Sequence, residues 1–293
     1  MKVYKNETAR KNIFYSYEKL LDMWDVDKEE LDISTTYGTT HVILCGDNNS
    51  QPLMLFHGVG DNSALMWLYN AKTLSKYFRV IAIDTIGGPG KSRPNHNYGK
   101  DFDDIRWIDE ILDALSLEKI HIAGVSNGAY LAQYYTLYRQ EKVAGIVCMA
   151  GSVPIGGSPI KTMMKVFLPE ALFPTKRNTE KLMKKLCGKN SMVFTGDPVV
   201  MEHYRWLLKG FNNMAMRFHK IVSFNDEQIS AIKNKALYLA GEKDPFMMLG
   251  GKDALLRYKM NARIFPDAGH GINHEIADEI NHLIIDYLLL LNE

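Results

Sequence analysis

Cysteine is scarce in this chain, with three residues, Cys45, Cys148 and Cys187, among 293. They lie far apart in apolar contexts with no C-x-x-C pair, which excludes a disulfide scaffold and a thiolate metal site. They read as small buried hydrophobes in a reducing compartment. Neither sign of charge is in excess, since Lys+Arg total 35 against 34 Asp+Glu. That balance excludes a basic footprint for nucleic acid and an acidic tail, and it favours a neutral or weakly charged small substrate. Long apolar runs are missing too: the late stretch Leu283 to Leu291 is broken by Asp286 and is far too short to span a bilayer. The opening residues, MKVYKNETARK, are charged and lack the apolar run of a secretory signal. The expectation is a soluble cytoplasmic protein with no membrane and no nucleic-acid partner. Internal repeats and low-complexity segments are also lacking, and nothing in the sequence fixes an oligomeric state.

What remains is ordinary globular composition, 46% hydrophobic and 24% charged, in a chain long enough to bury a large dry core. Apolar residues at helical spacing from Glu7 to Trp24 predict a leading amphipathic helix. Leu31–Ser34 and His41–Cys45 predict two strands joined by a turn at Gly38. Six short β-rich runs then alternate with helical stretches: 53–56, 79–83, 119–124, 145–150, 236–241 and 262–267. Strands that are almost wholly apolar and separated by helices imply a parallel sheet covered on both faces. The rhythm stops between Gly151 and about Ser230, where only loosely amphipathic helical pieces are predicted, at Pro159–Phe167, Asn178–Leu186 and Pro198–Phe211. Seven of the chain's 15 methionines fall there, namely Met163, Met164, Met183, Met192, Met201, Met214 and Met216. The division that follows is a core of 1–150 and 231–293 with a helical cap at 151–230, set over the strand C-termini where α/β proteins bind ligands. A plain helical layer with methionine as gap-filler is the competing reading.

Chemistry concentrates in a few places. Lys119–Ala123 runs into Gly124-Val125-Ser126-Asn127-Gly128 and on into a helix rich in Ala, Leu and Tyr. A bare G-x-S-x-G arises by chance in roughly one chain in ten of this length, but strand, motif and helix together make a nucleophile elbow. In it Ser126 takes a strained backbone conformation, and Gly124 and Gly128 leave room where a Cβ would collide. The N–H of Asn127, at the helix N-terminus, is one candidate donor to an oxyanion, and the N–H of Val59, in the His57-Gly58 loop after a strand, is the other. His57 could serve as a base, but its place before the nucleophile makes it a loop-ordering residue. Downstream, Asp244 follows a strand end and His270 lies in a glycine-flanked loop before the last helix, giving the order Ser, acid, His. Glu242 competes with Asp244 as the acid, whereas Asp267 is too near His270 in sequence to orient it. His274 and His282 read as surface or partly buried residues of the last helix, while His203 and His219 lie where they could line substrate. The run Asp84 to Ser92, with Gly87, Gly88 and Gly90, demands a tight turn but matches no phosphate-binding spacing. Trp67 and the methionine-rich insertion point to an apolar acyl or aryl pocket.

These motifs resemble the α/β-hydrolase superfamily: His57-Gly58, Asp84 to Ser92, Gly124 to Gly128, Gly241-Glu242-Lys243-Asp244 and Gly269-His270-Gly271. The N-terminal portion, YEKLLDMW at 17–24 and ISTTYGTTHVILCG at 33–46, is similar to bacterial carboxylesterases that cleave aryl-propionate (naproxen-type) esters. The resemblance implies an eight-stranded, mostly parallel sheet flanked by helices, hydrolysis of a small ester, a helical cap, and no metal or organic cofactor. It also implies Ser126 as nucleophile, Asp244 as acid and His270 as base. Lactone, thioester and C–C bond hydrolysis and perhydrolysis share the same scaffold, and a ligand-binding protein with little turnover is a reading from another class. The insertion is the least similar part, so the substrate is the least determined.

Overall fold

Period-two alternation organises the core. In the strand Pro52–Phe56, Leu53 and Leu55 face one apolar cluster while Met54 and Phe56 face another, and all four are fully buried. Only a sheet covered on both sides buries both faces of a strand in this way. The computed structural model describes residues 1–156, 166–167, 170, 172–249 and 251–291. Its strands are β1 (Lys28–Thr35), β2 (Gly38–Cys45), β3 (Pro52–Phe56), β4 (Arg79–Ile83), β5 (Arg93–Pro94), β6 (Ile120–Val125), β7 (Val143–Met149), β8 (Ala236–Gly241) and β9 (Asn261–Phe265). Eight of them run in the order β1-β2-β4-β3-β6-β7-β8-β9, and the two-residue β5 pairs with β2. From β4 to β9 every pairing is parallel, whereas β1, β2 and β5 add an antiparallel margin. The eight expected strands are present, with β5 as an addition.

One face carries the N-terminal helix Glu7–Asp22 and the last helix Ala277–Leu290, which contribute Ile13, Tyr17, Ile280, Ile284 and Leu288. The other carries Asp104–Ala114, Asn127–Tyr138 and Asp226–Lys233, with Trp107, Leu131, Ile229 and Ile232. Among the described residues no strand intervenes between β7 and β8; that stretch contains the helices Lys176–Leu186, Met192–Thr195 and Pro198–Gly210. The piece expected at Pro159–Phe167 lies outside the described residues except for Val166 and Phe167. The expected boundary at 230/231 falls inside the helix Asp226–Lys233, which packs on the sheet and is capped by a reciprocal Asn225–Gln228 box. The N-terminus also reaches the insertion. Lys5 N–H donates to Gly210 C=O at 2.8 Å, Asn212 N–H donates to Val3 C=O at 2.9 Å, and Ser16 Oγ meets His203 at 2.7 Å.

Candidate active site

The parallel strands β3, β6, β8 and β9 all end on one edge of the sheet, and the candidate residues follow those ends. Between β6 and the helix Asn127–Tyr138 the chain turns through Ser126 at φ +56° and ψ −113°, a backbone region costly for a residue with a side chain. A Cβ on Gly124 would collide with the backbone of Gly128, and one on Gly128 with the Phe56 carbonyl, so both glycines are sterically required. Ser126 N–H donates to Met149 C=O at 2.9 Å, and Tyr130 N–H donates to Ser126 C=O at 3.2 Å, which fastens the turn from both sides. Among the described residues the Oγ itself makes no hydrogen bond to His270; such contacts often close only once substrate is bound.

The loop after β3 runs beside this turn: a Cβ built on Gly58 would lie 3.4 Å from Ser126 Cβ. His57 is fully buried, and its Nε2 accepts the Thr85 N–H at 2.9 Å, which leaves the proton on Nδ1 to donate to Gly58 C=O at 2.8 Å. Burial lowers its pKa below the ordinary histidine value, and the neutral ring joins the β3 loop to the β4 loop. Val59 and Asn127 offer backbone N–H groups that donate to no protein acceptor among the described residues.

Asp244, beyond β8, and His270, beyond β9, come together. Asp244 Oδ2 lies 2.8 Å from His270 Nδ1, while Oδ1 accepts the Phe246 N–H at 2.8 Å. Asp244 is fully buried, and the Phe246 ring packs against the His270 imidazole at 4.9 Å between centroids. Burial disfavours the imidazolium, but the adjacent Asp244 carboxylate outweighs it and holds the His270 pKa above its ordinary value. The competing acids are engaged elsewhere: Glu242 pairs with Lys252 at 2.7 Å and Asp267 with Lys189 at 2.8 Å, both on the surface.

Other histidines depart from expectation. His203 spends its nitrogens on Ser16 Oγ and Asn62 Nδ2, and burial pushes its pKa down to about 3. His219 meets Asp104 Oδ1 at 2.6 Å and Ile86 C=O at 2.7 Å. With both rings committed to the protein, neither is available to line substrate. His274, expected as a surface or partly buried residue of the last helix, is buried in the short helix Ile272–Glu275 with Nε2 at 2.9 Å from Leu65 C=O, and burial lowers its pKa to about 4. His282 is exposed, as expected. Trp67 is fully buried in the core cluster that includes Leu65 and Leu74. The glycine-rich turn organises around Asp84, whose buried carboxylate accepts from Tyr17 Oη and Ser63 N–H at 2.9 Å and from Lys91 N–H at 2.7 Å. A Cβ on Gly90 would overlap that carboxyl, so the glycine makes room for a structural anion. Among the described residues no three His, Cys, Asp or Glu side chains are grouped to hold a metal ion.

Two buried acids carry no sequence signal. Asp61, in the loop of Val59, accepts the Asn62 N–H at 2.8 Å and faces the Tyr204 hydroxyl at 3.4 Å, and burial raises its pKa to about 7. Glu275 accepts two backbone N–H groups beside His270.

Known proteins share this arrangement of chain and fold. The chain is 26% identical over 286 residues to carboxylesterase YbfK of Bacillus subtilis, spanning 94% of this chain and 93% of that one. It is 28% identical over 273 residues to a 2-hydroxy-6-oxononadienedioate/2-hydroxy-6-oxononatrienedioate hydrolase of Klebsiella pneumoniae, spanning 85% and 90%. The crystal structure of naproxen esterase from Bacillus subtilis superposes with a TM-score of 0.82 at 23% identity, covering 97% of this chain and 99% of that one. A family model described as the alpha/beta hydrolase fold matches residues 51–275, and the chain belongs to that family.

Proposed function

We propose that this protein is a serine hydrolase that cleaves a carboxylic ester of a small, largely apolar substrate through an acyl-enzyme. The observation that carries the reading is the 2.8 Å Asp244–His270 hydrogen bond on the sheet edge where Ser126 sits at positive φ. Asp244 fixes the tautomer with the proton on Nδ1, leaving Nε2 to accept the Ser126 proton as Oγ attacks the ester carbonyl. The Val59 and Asn127 N–H groups stabilise the oxyanion, and the His270 imidazolium returns its proton to the departing alcohol. Water then enters, is deprotonated by the same nitrogen, and releases the acid. The nearly full-length similarity to two Bacillus carboxylesterases supports ester over other acyl chemistry.

In this reading residues 151–230 act as a cap that selects the substrate. A cytoplasmic setting agrees with three buried, unpaired cysteines, and no helix among the described residues is long and apolar enough to cross a membrane. Hydrolysis of a C–C bond is the second reading, favoured by the relatives named for that reaction. Turnover of p-nitrophenyl butyrate by the protein and by Ser126→Ala tests the proposal. The variant is expected to lose at least ~10⁴-fold in kcat while retaining its fold; unchanged turnover would refute it.

A further inference from the structure

We propose that Glu275 is a positioning residue for His270, joining the histidine's loop to the insertion through its carboxylate; this rests on the reading of His270 as the base. Glu275 ends the four-residue helix that follows the histidine loop and is 4% exposed. Its Oε1 accepts the N–H of Gly269, the residue just before His270, at 2.8 Å. Its Oε2 accepts the N–H of Gly188 at 2.6 Å, in the segment between the helices Lys176–Leu186 and Met192–Thr195. The carboxylate thus bridges one peptide of the insertion and one of the histidine loop.

The same two segments are laced together on either side of it. His270 N–H donates to Leu186 C=O at 2.6 Å, and Lys189 N–H donates to Asp267 C=O at 2.8 Å. Asn190 Nδ2 donates to the Glu275 carbonyl at 2.8 Å. The approach is so close that a Cβ on Gly188 would collide with the Asp267 carbonyl and one on Gly269 with the Leu186 carbonyl. The main chain that carries His270 is therefore seated on the insertion as well as on β9.

The chemistry explains why an acid stands here. Two N–H groups converge on one side chain, so both of its terminal atoms must accept; a carboxylate does this, whereas an amide would turn a donor toward one of them. Glu275 has no cationic side chain paired with it among the described residues, and burial raises its pKa while the N–H donors hold it down. Its charge favours the His270 imidazolium in the same sense as that of Asp244, which has the larger effect. The other titratable groups around the unit are the Cys187 thiol, pushed up by burial, the neutral His274, and the surface pair Lys189–Asp267.

The test compares Glu275→Gln, Glu275→Asp and the surface control Asp267→Asn. Two readouts are used: the acidic limb of kcat/KM on p-nitrophenyl butyrate, and an NMR titration of the His270 imidazole that needs no turnover. Glu275→Gln is expected to move both the limb and the NMR midpoint to lower pH by roughly half a unit or more, with kcat reduced about tenfold or more through misplacement of the ring. Glu275→Asp keeps the charge but loses reach, so its limb should stay near wild type while kcat falls; Asp267→Asn should match wild type in both. A folded Glu275→Gln protein with wild-type kcat and an unmoved His270 midpoint overturns the proposal. If that variant does not fold, wild-type kcat in Glu275→Asp overturns it instead. Failure of the ester reading would show separately, as a wild-type protein that does not turn over the ester while the NMR midpoints still report on Glu275.

Discussion

Replacing Asp61 by asparagine removes a charge from a place that holds it poorly. The side chain is 6% exposed, has no cationic partner among the described residues, and relies on one N–H at 2.8 Å and one hydroxyl at 3.4 Å. Desolvation is the largest influence on its pKa, which rises from 3.8 to about 7. The sign follows from linkage. Well below pH 3.8 the carboxyl is neutral in both the folded and unfolded chain and costs nothing. As pH rises from 4 to 7 the unfolded chain ionises first, and stability falls until the folded group ionises too; the loss is complete above about pH 7. Roughly three units at 1.36 kcal/mol each give about 4 kcal/mol as an upper figure, and relaxation around the charge brings the expected loss to about 2–4 kcal/mol. Asparagine keeps the shape and the acceptor for Asn62 N–H but never ionises. Urea unfolding of wild type and Asp61→Asn at pH 4 and pH 8 measures the difference directly. The variant should be more stable by about 2–4 kcal/mol at pH 8, and the two should converge at pH 4. Equal stabilities at pH 8, or a less stable variant there, would refute the assignment of Asp61 as a strained buried acid.

Two further outcomes follow from the same structure. In the proposed mechanism His270 must be neutral to accept a proton, and its pKa is held above the ordinary 6.5, so kcat/KM should fall as pH drops through a midpoint above 6.5; a midpoint below 6 in a pH–rate profile would contradict the Asp244 pairing. Asp84→Ala strands the Tyr17 hydroxyl and the Ser63 and Lys91 N–H groups, so unfolding free energy should drop by about 3 kcal/mol or more; a loss under 1 kcal/mol would show that the turn does not depend on this anion.

What could be read in the sequence was whatever a local pattern carries. The runs 79–83 and 236–241 became β4 and β8 to the residue, because buried parallel strands are nearly continuous apolar runs; only Arg79, at the start of β4, is charged and partly exposed. β1 was only half legible: a single residue of its eight, Ile33, is buried, so it has almost no hydrophobic signature and exists through its pairing with β2. β5 spans two residues and has no pattern to read. Asp244 and His270 could be paired from the sequence because chain order and strand ends constrain them together, and the structure sets them 2.8 Å apart. Asp61 and Glu275 were missed, and the buried partners of His203 and His274 were not foreseen, for one shared reason: each is defined by partners 87 to 209 residues away or by burial, and neither leaves a mark on neighbouring sequence.

The central claim is that Ser126 is an activated nucleophile, and reaction with a fluorophosphonate probe followed by peptide mapping tests it most directly. Rapid, stoichiometric labelling of Ser126 that slows sharply in His270→Ala is the expected result. Labelling at another residue, or no labelling of the folded protein, would contradict it.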